Sequence, residues 1–242
     1  MNILHYNIWN GMTQDPSYIP RFAEYLGHQP DVHLLMLNEY RSSPQLNGAL
    51  ADHGFCYSCV NTQMVNKNRA AVFGRIPLGE TLTTPDNLRL VLLRLEDFDL
   101  ACYHATPSGV AAVLHELACI LSLLDDQRPT LLCGDLNSLS SKDRLTLDYD
   151  GLAHDTGAPR YCLDGSLNYA ALEQMSAAGF EDVRGPGRCD TVPTHIGRKN
   201  EQGFRLRLDY CLSRNLPVQS ACVIDHLPFP DISDHYPLHI IL

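Results

Sequence analysis

The chain has 242 residues, 45% of them hydrophobic, a share that fits a globular core and excludes an intrinsically disordered chain. Its formal net charge of −10 argues against tight, non-specific binding to nucleic acid, which needs a broad basic surface. No run approaches the roughly 18 apolar residues of a membrane span, so membrane insertion is not expected.

The segment Met1–Asn7 lacks the basic and long apolar regions of a secretory leader. The nine cysteines are therefore read as reduced thiols of a cytoplasmic protein, most of them small buried hydrophobes. Cys56 and Cys59 form a lone C-x-x-C with no second pair at zinc spacing. No repeat, low-complexity tract or linker divides the chain, which predicts one domain over 1–242, and no obligate protein partner is evident.

The first predicted element is a strand over Asn2–Ile8. A helix over Tyr18–Gly27 follows, then Val32–Asn38, a nearly continuous apolar run typical of a strand buried on both faces. Pro44–His53 reads as a helix. Short strands follow near Gly54–Asn61, Arg69–Gly74, Leu88–Leu95 and Leu100–Ala105. Ser108 is the expected N-cap of an amphipathic helix over Gly109–Asp125, and Thr130–Cys133 is another buried strand. Residues 138–166 are irregular and predict a long loop near the functional site. Leu167–Ala178 reads as a helix ended by Gly179. Strands over Leu206–Ser213, Val218–Ile224 and Tyr236–Leu242 complete the chain. So many strands, with a few long helices between them, fit two sheets packed face to face with helices outside.

Six apolar runs end in, or are led by, polar residues suited to metal or phosphate. They are Tyr6-Asn7, Leu37-Asn38-Glu39, Tyr103-His104, Gly134-Asp135-Leu136-Asn137, Arg207-Leu208-Asp209-Tyr210 and Ser233-Asp234-His235. In this order the motifs resemble the endonuclease/exonuclease/phosphatase family, metal-dependent phosphoesterases similar to abasic-site endonucleases and pancreatic deoxyribonuclease. They span nearly the whole chain. The resemblance implies a four-layer α/β/β/α sandwich and Mg²⁺- or Mn²⁺-dependent hydrolysis of a phosphoester. It implies that Glu39 and Asp234 bind the metal and that Asn7 positions the metal or the phosphate. Asp135 resembles the family's water-activating base, with Asn137 holding a phosphate oxygen. His235 would donate a hydrogen bond to the phosphate, with Asp209 fixing its tautomer. His104 would stabilise phosphate charge or protonate the leaving group. Period-two alternation sets Asp209 with Arg205 and Arg207, away from the core-facing Leu206, Leu208, Tyr210 and Leu212.

Two departures bear on the substrate. Abasic-site enzymes carry an acid two residues after the first Asn, where this chain has Trp9. Long aromatic and basic loops for gripping duplex DNA are not evident. Trp9, Asn10, Arg69, Thr194 and His195 are weaker candidates for substrate contact. Lys67, Arg69, Arg198, Lys199, Arg205 and Arg207 would form a phosphate-holding cluster. His5 is expected to be packed or paired. The substrate that the resemblance implies is nucleic acid, cut by an endonuclease or exonuclease, or else a small phosphoester such as a nucleotide, sugar or inositol phosphate, or phospholipid head group.

Overall fold

The central strands are buried on both sides, and period-two alternation divides their side chains between two cores. The computed structural model, which describes residues 1–61, 68–147, 149–152, 158–197 and 204–242, arranges them in two six-stranded mixed sheets. The first contains β1 (Asn2–Asn7), β2 (Val32–Tyr40), β3 (Tyr57–Val60) and β4 (Arg69–Gly74). The second contains β5 (Glu80–Thr81), β6 (Leu90–Arg94), β7 (Asp99–His104) and β8 (Thr130–Asp135). β9 (Cys162–Leu163) and β10 (Ser166–Leu167) pair as a separate hairpin. β11 (Glu181–Asp182) and β12 (Asp209–Arg214) complete the second sheet, whose order is β11-β12-β8-β7-β6-β5. β13 (Ser220–Val223) and β14 (Leu238–Ile241) complete the first, in the order β13-β14-β1-β2-β4-β3. β1 and β2 run parallel, as do β7 and β8.

The distorted turn α1 (Trp9–Met12) leads out of β1, with positive φ at Trp9, Asn10, Gly11 and Met12. α2 (Tyr18–Gly27) and α3 (Pro44–Asp52) bury Phe22, Leu26, Leu46 and Leu50 against Leu4, Tyr6, Leu35 and Leu37 of the first sheet. Ser43 caps α3 by accepting a hydrogen bond from Leu46 N at 3.1 Å. α4 (Val110–Leu123) packs Val113, Leu117 and Ile120 on Tyr103, Leu132 and Tyr210 of the second sheet. Ile3, Leu34, Met36, Leu100, Cys102, Leu131 and Cys133 fill the space between the sheets. With α6 (Ala170–Ala177) beside α4, this is the expected four-layer α/β/β/α sandwich.

Some local expectations are corrected. The N-cap of α4 is Gly109 at φ 105°, a left-handed conformation that a side chain opposes, so Ser108 does not cap it. The last strand of the second sheet begins at Asp209, because Leu206 pairs with Val192 in an isolated bridge instead. Residues 138–166 are not a bare loop. Leu139, Leu147, Tyr149 and Leu152, the last two from the short α5 (Tyr149–Leu152), form a separate small core with Tyr161, Leu206 and Leu208. All nine cysteines are free thiols, but only Cys102, Cys133 and Cys211 are buried and Cys56 is exposed. Among the described residues no helix is long and apolar enough to cross a membrane.

Candidate active site

The inner-face alternation that carries Ile3, Leu34, Leu100 and Leu131 into the inter-sheet core continues, strand by strand, into polar residues. His5 and Asn7 extend it on β1, Asn38 on β2, His104 on β7 and Asp135 on β8. Strand register does the rest. Asn7 stands opposite Asn38, and Asp135 stands opposite both His104 and Asp209. Asp209 does not leave the core-facing side, as the alternation of Leu206 to Leu212 suggests. Both faces of β12 are buried, and Asp209 shares the inter-sheet face with Cys211 at 1% exposure.

Asp135 is the point of convergence. Its Oδ2 accepts from Asn7 Nδ2 at 3.1 Å and its Oδ1 from the Asn137 N–H at 2.9 Å. His104 Nε2 and His235 Nε2 lie 3.6 and 3.8 Å from Oδ2. The backbone N–H of Asp135 donates to Asn38 Oδ1 at 2.9 Å. Burial pushes the Asp135 carboxyl up to about 7, helped by Asp209 and Glu39 and opposed by His235.

His235 Nδ1 and Asp209 Oδ2 are 2.7 Å apart. Burial alone would strip the proton from His235, but the Asp209 carboxylate and this hydrogen bond overcome it and hold the imidazole well above its usual range. Burial would likewise raise Asp209; the charge and hydrogen bond of His235 outweigh it and keep the carboxyl low. Thr191 Oγ1 fixes the strand here, accepting from Leu208 N at 3.0 Å and Asp209 N at 3.2 Å. Among the described residues no carboxylate takes the far ring nitrogen of His104, Nδ1. Burial and then Arg89 hold it well below the usual histidine range, so it is neutral.

Glu39 follows a register shift in β2 and has φ 57°, a strained value for a side-chain-bearing residue. Its Oε2 accepts from Asn10 N at 2.7 Å and Asn68 Nδ2 at 3.1 Å. Among the described residues no donor takes Oε1. Asp234 lines the same cavity. Its neighbour Ser233 is buried, donates from Oγ to Asn7 O at 2.7 Å and accepts from His235 N at 3.3 Å. Among the described residues no three His, Cys, Asp or Glu side chains cluster tightly enough to cage an ion. The candidate donors are the carboxylates of Glu39 and Asp234, which line the cavity, and the amide oxygen of the buried Asn7, which does not line it and accepts from Trp9 N. These donors suit a hard cation that keeps part of its shell for water and phosphate, and they do not suit a closed zinc cage.

The cavity has a volume of about 700 Å³ and is lined by Glu39, His104, Asp135, Asn137, Asp234 and His235 on its polar side. Asn137 is held at φ 44°, with Nδ2 donating to Ala105 O at 3.0 Å, so its amide is already engaged. The weaker substrate candidates lie elsewhere. Asn10 braces Glu39 and takes Arg41 and Asn68 on its Oδ1, and Trp9 N donates to Asn7 Oδ1 at 3.2 Å. Thr194 is fully buried and donates to the Ser233 carbonyl, while the exposed His195 pairs with Asp231 at 2.9 Å. None of these four, nor Arg69, lines the cavity. In the expected basic cluster, Lys67, Arg198 and Lys199 lie outside the described residues. Arg207 is buried between Asp143 and Asp182 and is not available to phosphate.

Sequence reasoning did not place His5 and Asn38 beside Asp135 and Asp209, and missed Asn68, Thr191 and Arg89 altogether. His5 is buried as expected, with Nε2 3.1 Å from Asn38 Oδ1. Its spacing of two from Asn7 on one strand was the available signal.

No protein-family model and no curated protein sequence matches the chain. Solved structures do. An endonuclease/exonuclease/phosphatase from Beutenbergia cavernae aligns at TM-score 0.69 and 17% identity, over 99% of this chain and 70% of that one. An AP endonuclease from Archaeoglobus fulgidus aligns at TM-score 0.68 and 15% identity, over 100% and 99%. A 3′-5′ exonuclease from Neisseria meningitidis aligns at TM-score 0.69 and 15% identity, over 99% and 98%. These likenesses show the fold: the sandwich is that of the endonuclease/exonuclease/phosphatase proteins.

Proposed function

We propose that this chain is a divalent-metal-dependent phosphodiester hydrolase acting on nucleic acid as an endonuclease or exonuclease. The observation that carries the reading is the convergence of His104, His235 and Asn7 on the buried carboxylate of Asp135. Glu39, Asp234 and Asn7 would hold Mg²⁺ or Mn²⁺, which when bound supplies positive charge to the phosphate oxygens. Asp135 takes the proton of the attacking water as the water oxygen bonds to phosphorus and the ester oxygen leaves. A carboxyl held near neutrality suits that transfer, because it is a stronger base than an ordinary aspartate and still ionises. His235, kept charged by Asp209, donates from Nε2 to a phosphate oxygen where negative charge grows. His104 is neutral, which favours N–H donation to phosphate over protonation of the leaving group. The net charge of −10 also fits the same chemistry on a small phosphoester.

The test is hydrolysis of bis-p-nitrophenyl phosphate. Turnover should require Mg²⁺ or Mn²⁺ and stop with EDTA. Asp135→Ala and His235→Ala should each slow it by about 100-fold or more. Metal-independent turnover, or near-normal rates in either variant, would overturn the assignment.

A further inference from the structure

Most of the described arginines are committed to partners within the fold. Arg184 and Arg207 bind Asp143 and Asp182, Arg94 and Arg128 bind Asp99, Arg188 binds Asp190, and Arg214 binds Asp126. Arg89 donates to the Ala105 carbonyl. Arg160 is different. It is exposed in the 3-10 turn Ala158–Tyr161, and it lines the same cavity as Asp135 and His235. Its guanidinium sits 4.8 Å over the Tyr161 ring. Among the described residues no carboxylate lies within ion-pair distance of it. A chain with 28 acidic and 18 basic residues has acids to spare, so an arginine that no carboxylate among the described residues pairs with, beside this cavity, is placed for an anion that comes from outside.

The wall that Arg160 belongs to is otherwise apolar, built from Leu152, Tyr161, Val192, Phe204 and Leu206. Such a wall offers a flat or apolar group a surface to lie on. A guanidinium already stacked on a ring keeps its planar fork of N–H donors for phosphate. The cavity of about 700 Å³ matches one nucleotide-sized ligand better than a length of duplex.

We propose that Arg160 is a specificity-determining residue that binds a second, uncleaved phosphate of the substrate while the substrate's ring lies on the apolar wall. The inference rests on the phosphodiesterase reading. The chemistry recognised is two phosphates on either side of a ring, as in a nucleoside bisphosphate or in one repeat of a single strand.

The experiment measures inhibition of Mg²⁺-dependent bis-p-nitrophenyl phosphate hydrolysis by the full chain. Thymidine 3′,5′-bisphosphate, thymidine 5′-monophosphate and a thymidylate tetramer are the inhibitors, against wild type, Arg160→Gln and Arg160→Glu. Arg160→Gln should weaken inhibition by the bisphosphate about tenfold, the worth of one charge-assisted hydrogen bond, with less than about twofold change for the monophosphate. Arg160→Glu should weaken the bisphosphate further. A tetramer that inhibits wild type more tightly than the bisphosphate, and loses that advantage in Arg160→Gln, identifies the second phosphate as that of a strand; equal inhibition identifies a free nucleotide. Unchanged inhibition by the bisphosphate, or equal weakening of both nucleotides, overturns the proposal while leaving the phosphodiesterase reading standing. Absence of metal-dependent hydrolysis in wild type overturns that reading, and this one with it.

Discussion

Asp209 lies between two imidazoles and is bonded to one of them. Its Oδ2 is 2.7 Å from His235 Nδ1, whereas its Oδ1 is 3.8 Å from His5 Nδ1, and neither of those last two atoms has a hydrogen-bond partner. The mismatch follows from Asn38. Asn38 Oδ1 already accepts the Asp135 N–H, so His5 Nε2 must carry the proton it shares with that oxygen. Burial lowers the His5 pKa, and in the neutral ring Nδ1 is then an acceptor facing an acceptor. Asp209→Asn should therefore separate stability from catalysis. The amide keeps the volume and can donate to His5 Nδ1, so thermal unfolding should stay within a few degrees of wild type, less than about 1 kcal/mol. The charge that holds His235 protonated is gone, so kcat should fall about 100-fold with a small change in KM. A near-normal kcat would show that Asp209 does not support His235. At this scale the sequence was legible where a polar residue ends an apolar run, as at Asn7, His104 and Asp135. Thr191 and Asn68 carry no such local mark, because their importance comes from partners 18 and 29 residues distant.

β8 has to approach β7 closely for His104 and Asp135 to stand opposite each other. Gly134 permits this: a Cβ at that position would come within 1.7 Å of the Tyr103 carbonyl oxygen. The strand backbone cannot yield there without separating the pair it registers. Gly134→Ala should cost about 3 kcal/mol or more, the upper range for overpacking a well-filled interior. Urea unfolding measures it, and wild-type stability would mean that the two strands move apart freely. The elements themselves were largely readable, because Val32–Leu37 and Thr130–Cys133 are apolar on both faces. Their ends were not. β2 runs on past the expected Asn38 to Tyr40 and β8 past Cys133 to Asp135, since Glu39 and Asp135 keep their places in the strands although polarity marks them as turn residues. The face of Asp209 was misjudged for a related reason. Alternation distinguishes two faces of a strand, but it does not say which is interior when both are.

Across the whole molecule, segments remote in the chain meet in one buried ion-pair network. Arg207 Nε binds Asp143 at 2.9 Å and its two terminal nitrogens bind Asp182 at 2.7 Å, while Arg184 reaches Asp143 at 2.6 Å. The network fastens the segment that begins at Leu139, and with it Leu152 and Tyr161 of the cavity wall, to the strand carrying Asp209. Sequence spacing could not foresee it, because Arg207 belongs to the Arg-Leu-Asp-Tyr motif and its partners lie 64 and 25 residues away. Asp182→Asn breaks the two-pronged contact and leaves Arg207 underpaired in the interior, at an expected cost of about 3 kcal/mol near neutral pH. The pH dependence gives the sign. Burial would raise the Asp182 pKa, but the hydrogen bond and charge of Arg207, with Arg184, leave it lowered. A carboxyl lowered by folding stabilises the protein above its unfolded pKa, about 4, and loses that contribution as pH falls below it. The gap in urea-unfolding free energy between wild type and Asp182→Asn should therefore be constant from about pH 6 to 8 and shrink below about pH 4. A gap that persists unchanged in acid would assign the effect to altered packing and remove the ion pair from the account.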